Sequence, residues 1–209
     1  MGFGVASPPC RPSPYGLRRG KPARRHATPL ARGIGRLRYD FPMGHLEHKA
    51  QSPAVANCYI LTISDTRTEA TDASGRAIFD LLWAGGHQVA GRKIVRDEPD
   101  QVRAAIGDQL ASPNVQVVIT TGGTGITSRD TTFETIDALL EKRLDGFGEL
   151  FRMLSFQEIG SAAMLSRACA GVVQKKVIIS LPGSENAVRL AMTKLVLPEL
   201  GHLVREASR

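Results

Sequence analysis

Residues 115–134, VQVVITTGGTGITSRDTTFE, decide the fold. Val115, Val117, Val118 and Ile119 form a short, β-branched apolar run. Bounded by turn residues, such a run reads as a buried parallel strand. Gly122, Gly123 and Gly125 follow, among Thr120, Thr121, Thr124 and Thr127. With no Cβ in the way, the backbone there can turn sharply and approach a ligand closely. Successive free N–H groups in such a loop make a concavity that suits an oxyanion. Arg129 and Asp130 place a fixed cation beside a carboxylate. Thr131 and Glu134 have capping-box spacing, which predicts a helix starting there, carried by Ile136, Leu139 and Leu140, and ending near Arg143. Strand, glycine loop and helix start together place an anion site at the carboxyl end of a parallel strand. The same arrangement also occurs as a plain connection in α/β proteins. It is not a nucleotide P-loop, since no Lys-Ser/Thr pair follows the glycines, and it does not match GxGxxG.

Working outward, residues 55–64, VANCYILTIS, read as a first strand ending at Ser64 and Asp65. Asp65 is either a ligand-facing carboxylate at a strand end or a turn cap. Asp72 or Ser74 caps the next helix, whose apolar stripe is Ile78, Leu81 and Leu82, and Gly85-Gly86 ends it. Residues 87–95 form a weaker second strand, followed by Asp97-Glu98-Pro99, with Pro99 suited to the first turn of a helix. Asp97 lies just past a strand end, so it has the same two readings as Asp65. The order is βαβαβ with short loops, the signature of a parallel sheet covered by helices on both faces.

Beyond the central stretch, Leu150, Phe151 and Leu154 make a helical stripe, and 159–168 is a second short apolar element. Arg152 and Arg167 read either as solvated charges or as anion contacts. Val177 to Leu181 is another buried strand, running into the tight turn Pro182-Gly183-Ser184. Pro198 restarts a final helix through Leu203. The two glycine turns, at 122–125 and 182–184, should open on one edge of the sheet and hold a polyanion between them.

The net charge of +7 is unevenly placed. Nine of the 27 Lys and Arg lie in residues 1–42 against one acid, Asp40, so the rest of the chain is near neutral. That argues against a nucleic-acid-binding fold. Residues 1–50 are basic and rich in Pro and Gly, with too little apolar surface to fold alone, and read as a disordered extension. Their Arg-rich, acid-poor character also resembles a transit peptide, and Met43 begins a sequence that suffices for the domain at 51–209. No apolar run approaches the roughly 18 residues that span a membrane. Cys10, Cys58 and Cys169 are too few and too scattered for a disulfide framework or a metal site, which fits a reducing cytoplasm.

TTGGTG followed by Ser128-Arg129-Asp130 resembles the signature of the MoaB/Mog family of molybdenum cofactor biosynthesis. The resemblance is collinear over about residues 56–204. It takes in Ser64-Asp65, Asp72-Ser74-Gly75, Asp97-Glu98, GFGE at 146–149, Leu165-Ser166-Arg167, and Leu181-Pro182-Gly183-Ser184. FRMLSFQEIG, residues 151–160, looks more like the MoaB branch than the Mog branch. Arg96 and Glu185 depart from the family pattern, where Pro is frequent.

The resemblance implies a three-layer α/β/α fold with a mostly parallel sheet that binds molybdopterin. In active members it implies that Mg-ATP and molybdopterin give adenylylated molybdopterin and pyrophosphate. Its motifs map substrate binding to Thr121, Gly122, Gly123, Thr124, Gly125, Asp65, Ser166, Arg167, Pro182, Gly183 and Ser184. They map Mg²⁺ binding and catalysis to Asp130 and Asp97. It further implies a homo-oligomer, trimer or hexamer, working in the cytoplasm, with other cofactor-biosynthesis proteins as further partners. The second reading is a non-catalytic pterin-binding or assembly subunit of the same pathway. A third is a generic nucleotide-binding regulator.

Overall fold

The computed structural model describes residues 52–209. The expected disorder of residues 1–50 and the reading of their basic charge lie outside these residues.

Six strands form one sheet in the order β2-β1-β3-β6-β5-β4. They are β1 (Asn57–Ile63), β2 (Gln88–Val95), β3 (Val117–Thr121), β4 (Lys142–Arg143), β5 (Cys169–Val173) and β6 (Lys176–Leu181). β2, β1, β3 and β6 run parallel, and β5 and β4 add an antiparallel edge. The expected parallel core is therefore present, with its central strand where the sequence puts it. Every residue of β3 is buried. Its side chains alternate between two cores: Val117 and Ile119 join one, Val118 the other. A strand covered on both faces needs apolar residues at consecutive positions, which is why the alternation is invisible in the sequence.

On the first face lie α1 (Ala73–Ala84), α4 (Asp145–Ile159), α5 (Glu185–Ala191) and α6 (Leu197–Ser208). Ile78 and Leu82 of α1, Phe151 of α4, Val188 of α5 and Leu200 of α6 are buried there against Ile60, Val117 and Ile179. On the second face, Val102 and Ile106 of α2 (Pro99–Ala111) and Ile136 of α3 (Thr132–Asp137) cover Leu61, Val118 and Ile178. The result is the three-layer α/β/α arrangement. β1 leads to β2 on one side, while the chain returns to β3 on the other, so the topological switch lies between β1 and β3. Open α/β sheets bind ligands at that place, outside the carboxyl ends of the strands.

Asp72 joins sheet, helix and site. It caps α1 by accepting the Gly75 N–H at 3.0 Å, and it accepts the Thr62 hydroxyl of β1 at 2.7 Å. The carboxylate is almost fully buried. Asp72→Ala removes a cap, worth about 0.5–2 kcal/mol. It also strands the Thr62 hydroxyl, at about 1–3 kcal/mol. The expected outcome is a destabilisation of about 2 kcal/mol or more, read from the midpoint of a urea titration.

Two expectations need correction. α3 ends at Asp137, not near Arg143, and Lys142–Arg143 pairs as β4 instead. Thr131 stands at the N-cap of α3 with helical rather than extended dihedrals (φ −115°, ψ −4°) and its hydroxyl makes no capping bond, while the Glu134 side chain goes to Arg167. Cys169–Val173 is a strand, joined to β6 through Gln174 and Lys175, both at positive φ (47° and 62°). Pro198 opens the final helix as expected, though that helix runs to Ser208 rather than Leu203. The backbone stays helical from Glu185 through a π turn (Met192–Val196) to Ser208, with Pro198 in the first turn of α6.

Candidate functional site

The two glycine turns meet. Gly122 N–H donates to Leu181 O at 3.1 Å, and the Thr121 hydroxyl to Pro182 O at 3.0 Å. Parallel pairing of β3 with β6 forces this, because it puts both carboxyl ends side by side. Gly122 (φ 103°) and Gly123 (φ 63°) adopt backbone that L side chains rarely take. A Cβ on Gly122 would lie 2.1 Å from Ile63 O, so the turn is wedged under the end of β1. A third turn, after β1, is tied in by Arg67. Its guanidinium donates to Ser74 Oγ and to Gly183 O, both at 2.6 Å. Ser184 caps α5 by accepting the Ala187 N–H at 3.2 Å, so Glu185 in place of a proline leaves this helix start intact.

The carboxylates fall into two groups. Asp97 lies behind the glycines: its Oδ1 accepts the Thr132 hydroxyl at 2.8 Å, and its Oδ2 would stand 2.7 Å from a Cβ on Gly123. Asp130 lies in front of them. Its Oδ2 accepts the Thr127 N–H at 3.0 Å and the Thr127 hydroxyl at 2.5 Å. The Thr127 hydroxyl, together with the N–H groups of Thr127 and Gly125, holds this carboxyl below its ordinary range. The loop's own carboxylate therefore occupies part of the concavity expected to receive an oxyanion.

Arg129, expected beside the Asp130 carboxylate, instead bridges two other strand ends. Its Nε donates to Asp65 at 2.9 Å and an Nη to Glu98 at 3.4 Å. The hydrogen bond from Arg129 holds the Asp65 carboxyl below its ordinary range. The structure thus ties Asp65 to Arg129. Arg167 lies behind the loop, bonded to Thr124 O at 3.0 Å, to Gly125 O and to Glu134. Ser166 closes the 3-10 turn (Gly160–Leu165) just before it. An open cleft of about 580 Å³ adjoins the cradle, lined by Ser64, Asp65, Arg67, Arg96, Gln101 and Asp108 among others. Burial pushes the Cys58 and Cys169 thiols up to about 12, so neither is a nucleophile.

This geometry can be set beside known proteins. Residues 59–202 match the family model described as a probable molybdopterin binding domain. The chain belongs to this family, the MoaB/Mog proteins. A Bacillus cereus relative, molybdenum cofactor biosynthesis protein B, is 52% identical over 168 residues, covering 80% of this chain and 99% of that protein. The Bacillus subtilis protein of the same name is 48% identical, covering 77% and 95%. A crystal structure of a molybdenum cofactor biosynthesis protein B superposes with a TM-score of 0.73 at 53% identity, covering 75% of this chain and 98% of that one. A tungsten cofactor synthesizing MoaB from Pyrococcus furiosus gives 0.68 at 37%, covering 76% and 100%. A MogA structure is 30% identical, with a TM-score of 0.65, covering 72% and 99%. The higher identities to proteins named B agree with the MoaB-like character of residues 151–160.

Proposed function

We propose that the protein acts in molybdenum cofactor biosynthesis, binding molybdopterin at the paired glycine turns and adenylylating it with Mg-ATP. The observation that carries this reading is the meeting of the 122–125 and 182–184 turns beside the β1/β3 switch point. Two amide-rich turns side by side suit a ligand with several phosphate oxygens.

In the proposed reaction the terminal phosphate of the pterin attacks the α-phosphorus of ATP. A new P–O bond forms, the α–β bridging bond breaks, and pyrophosphate leaves. The nucleophile is already anionic near neutral pH, so no strong base is required. The barrier lies in bringing two polyanions together, and positioning with charge neutralisation lowers it. Gly122–Gly125 and Gly183–Ser184 would orient the phosphates, and Thr121 and Pro182 hold the two turns in register.

The residues present fit Mg²⁺ held mainly by substrate phosphates and water. Asp97 and Asp130 flank the same loop, each with part of its carboxylate engaged by a neighbouring hydroxyl. No cluster of three or more His, Cys, Asp or Glu that could hold a metal alone occurs among the described residues. When bound, Mg²⁺ supplies charge neutralisation of the triphosphate.

The test is pyrophosphate release by the purified protein with molybdopterin and Mg-ATP. Turnover supports the enzyme. Tight pterin binding without turnover supports the alternative, a non-catalytic binding or assembly subunit. No pterin binding sinks both.

The same reading takes the protein as a cytoplasmic homo-oligomer, trimer or hexamer, meeting other proteins of the pathway. Among the described residues no helix is long and apolar enough to cross a membrane. Leu150, Met153, Phe156 and Ile159 of α4, with Met164 and Leu165 of the 3-10 turn, are each about half exposed or more. So many exposed large apolar side chains within residues 150–165 suit a contact with another protein. Light scattering at micromolar concentration is expected to give at least three chain masses, and a monomer would end this part of the proposal.

A further inference from the structure

Arg167 sits between the 3-10 turn and β5, outside both. Its side chain is 22% exposed. Nε donates to Thr124 O at 3.0 Å, one Nη to Gly125 O and the other to Glu134. Its guanidinium carbon lies 4.9 Å from the centre of the Phe133 ring, which covers one face of the plane. All three nitrogens and one face are thus committed to the protein.

The consequence is set by peptide geometry. In a trans peptide the C=O and the following N–H point in opposite directions. The described residues contain no cis peptide. With the Thr124 and Gly125 carbonyls drawn toward Arg167, the N–H groups of Gly125 and Ile126 must point away from it. Asp130 accepts the Thr127 N–H and hydroxyl further along the same loop. One short loop is therefore gripped by a cation through two carbonyls and by an anion through Thr127.

We propose that Arg167 is a positioning residue for the oxyanion-binding loop: it sets the direction of the Gly125 and Ile126 amides and does not itself touch the bound anion. This rests on the proposed function for the ligand, but the loop geometry stands apart from it. Two carbonyls and Glu134 are held at once by a planar fork lying over the Phe133 ring, a fixed set of directions that a compact lysine ammonium does not share.

The experiment compares wild type with Arg167→Lys and Arg167→Met. The first measurement is hydrogen exchange of peptides covering residues 121–128. The second is the affinity for molybdopterin. Both variants lose the guanidinium's charge-assisted bonds to the loop, so loop exchange is expected to speed up about tenfold or more in each. Protection in β3 and β6 should stay unchanged. Pterin affinity is expected to fall by a similar factor in both, with Lys giving no rescue. Affinity retained by Arg167→Lys would show a charge acting on the ligand and would overturn the proposal. So would wild-type loop exchange in Arg167→Met. Wild-type protein that binds no pterin would instead sink the proposed function, and the exchange measurement would still decide Arg167.

Discussion

Asp130→Asn is expected to lower adenylylation by at least about a hundredfold, while folding and pterin binding are kept. The carboxylate has two jobs in the structure. One is local: Oδ2 holds the Thr127 N–H and hydroxyl and so shapes the loop. An Asn oxygen in the same place can accept both. The other is its charge, which flanks the loop where the triphosphate would lie. Removing one preorganised electrostatic contact typically costs about 2.7–4 kcal/mol of transition-state stabilisation, or 10²–10³ in rate. A carboxylate favouring a helix start is worth only about 0.3–1 kcal/mol, so the two jobs differ enough to be separated. Rate, binding and melting together decide. Normal turnover would remove the charge from the mechanism. A parallel collapse of pterin affinity would show the loop-shaping job dominates. Asp97→Asn should behave alike but less severely, because Asp97 stands behind the glycines and bonds Thr132.

The same substitution carries a pH signature. The Asp130 carboxyl lies below its ordinary value in the folded protein, chiefly through the Thr127 hydroxyl. A lowered carboxyl stabilises the fold above its unfolded pKa, and that contribution is lost as pH falls through the folded value. Asp130→Asn should therefore flatten the acid limb of a stability–pH curve slightly and leave neutral pH unaffected in slope.

What the sequence showed and what it hid divide along a physical line. The parallel strands, α1 with its Asp72 cap and the 122–125 turn were legible because each has a local cause: a β-branched run, a capping carboxylate, a backbone needing positive φ at Gly122 and Gly123. The hairpin of β5 and β6 was not, since Gln174-Lys175 lacks the Asn-Gly or Asp-Gly signal usual at such a turn. Two non-glycine residues at positive φ there are imposed by the paired strands on either side. The capping box failed on both sides: Thr131 has helical dihedrals, and a long-range partner, Arg167, holds Glu134. The candidate residues on the two turns are brought together by β3–β6 pairing. The roles of Arg67, Arg129 and Arg167 depend on contacts 31 to 116 residues apart, which no spacing in the chain could reveal.

Gly122→Ala and Gly123→Ala are expected to fail differently, though the residues are adjacent. At Gly122 (φ 103°) the new Cβ would stand 2.1 Å from Ile63 O. That obstacle is backbone of the central sheet and cannot swing aside. Overpacking costs about 1–3 kcal/mol, and a strained backbone region about 1–3 kcal/mol more. At roughly 2–4 °C per kcal/mol for a chain of this size, melting should fall by about 5 °C or more. At Gly123 (φ 63°) the obstacles are side-chain atoms, Thr132 Oγ1 at 2.3 Å and Asp97 Oδ2 at 2.7 Å. The left-handed region costs an L residue only about 1–2 kcal/mol. The remaining clash pushes apart the Thr132–Asp97 hydrogen bond and displaces a candidate Mg²⁺ ligand. So Gly123→Ala should lose less stability than Gly122→Ala and still lose at least about tenfold in adenylylation, the cost of roughly 1.4 kcal/mol at the transition state. Gly183→Ala is the control, since its Cβ would meet Gly122 Cα at 3.3 Å and Arg67 at 3.5 Å, close but not overlapping. Wild-type melting for Gly122→Ala would mean the turn is not wedged under β1, and the shared edge that carries the proposed site would have to be drawn again.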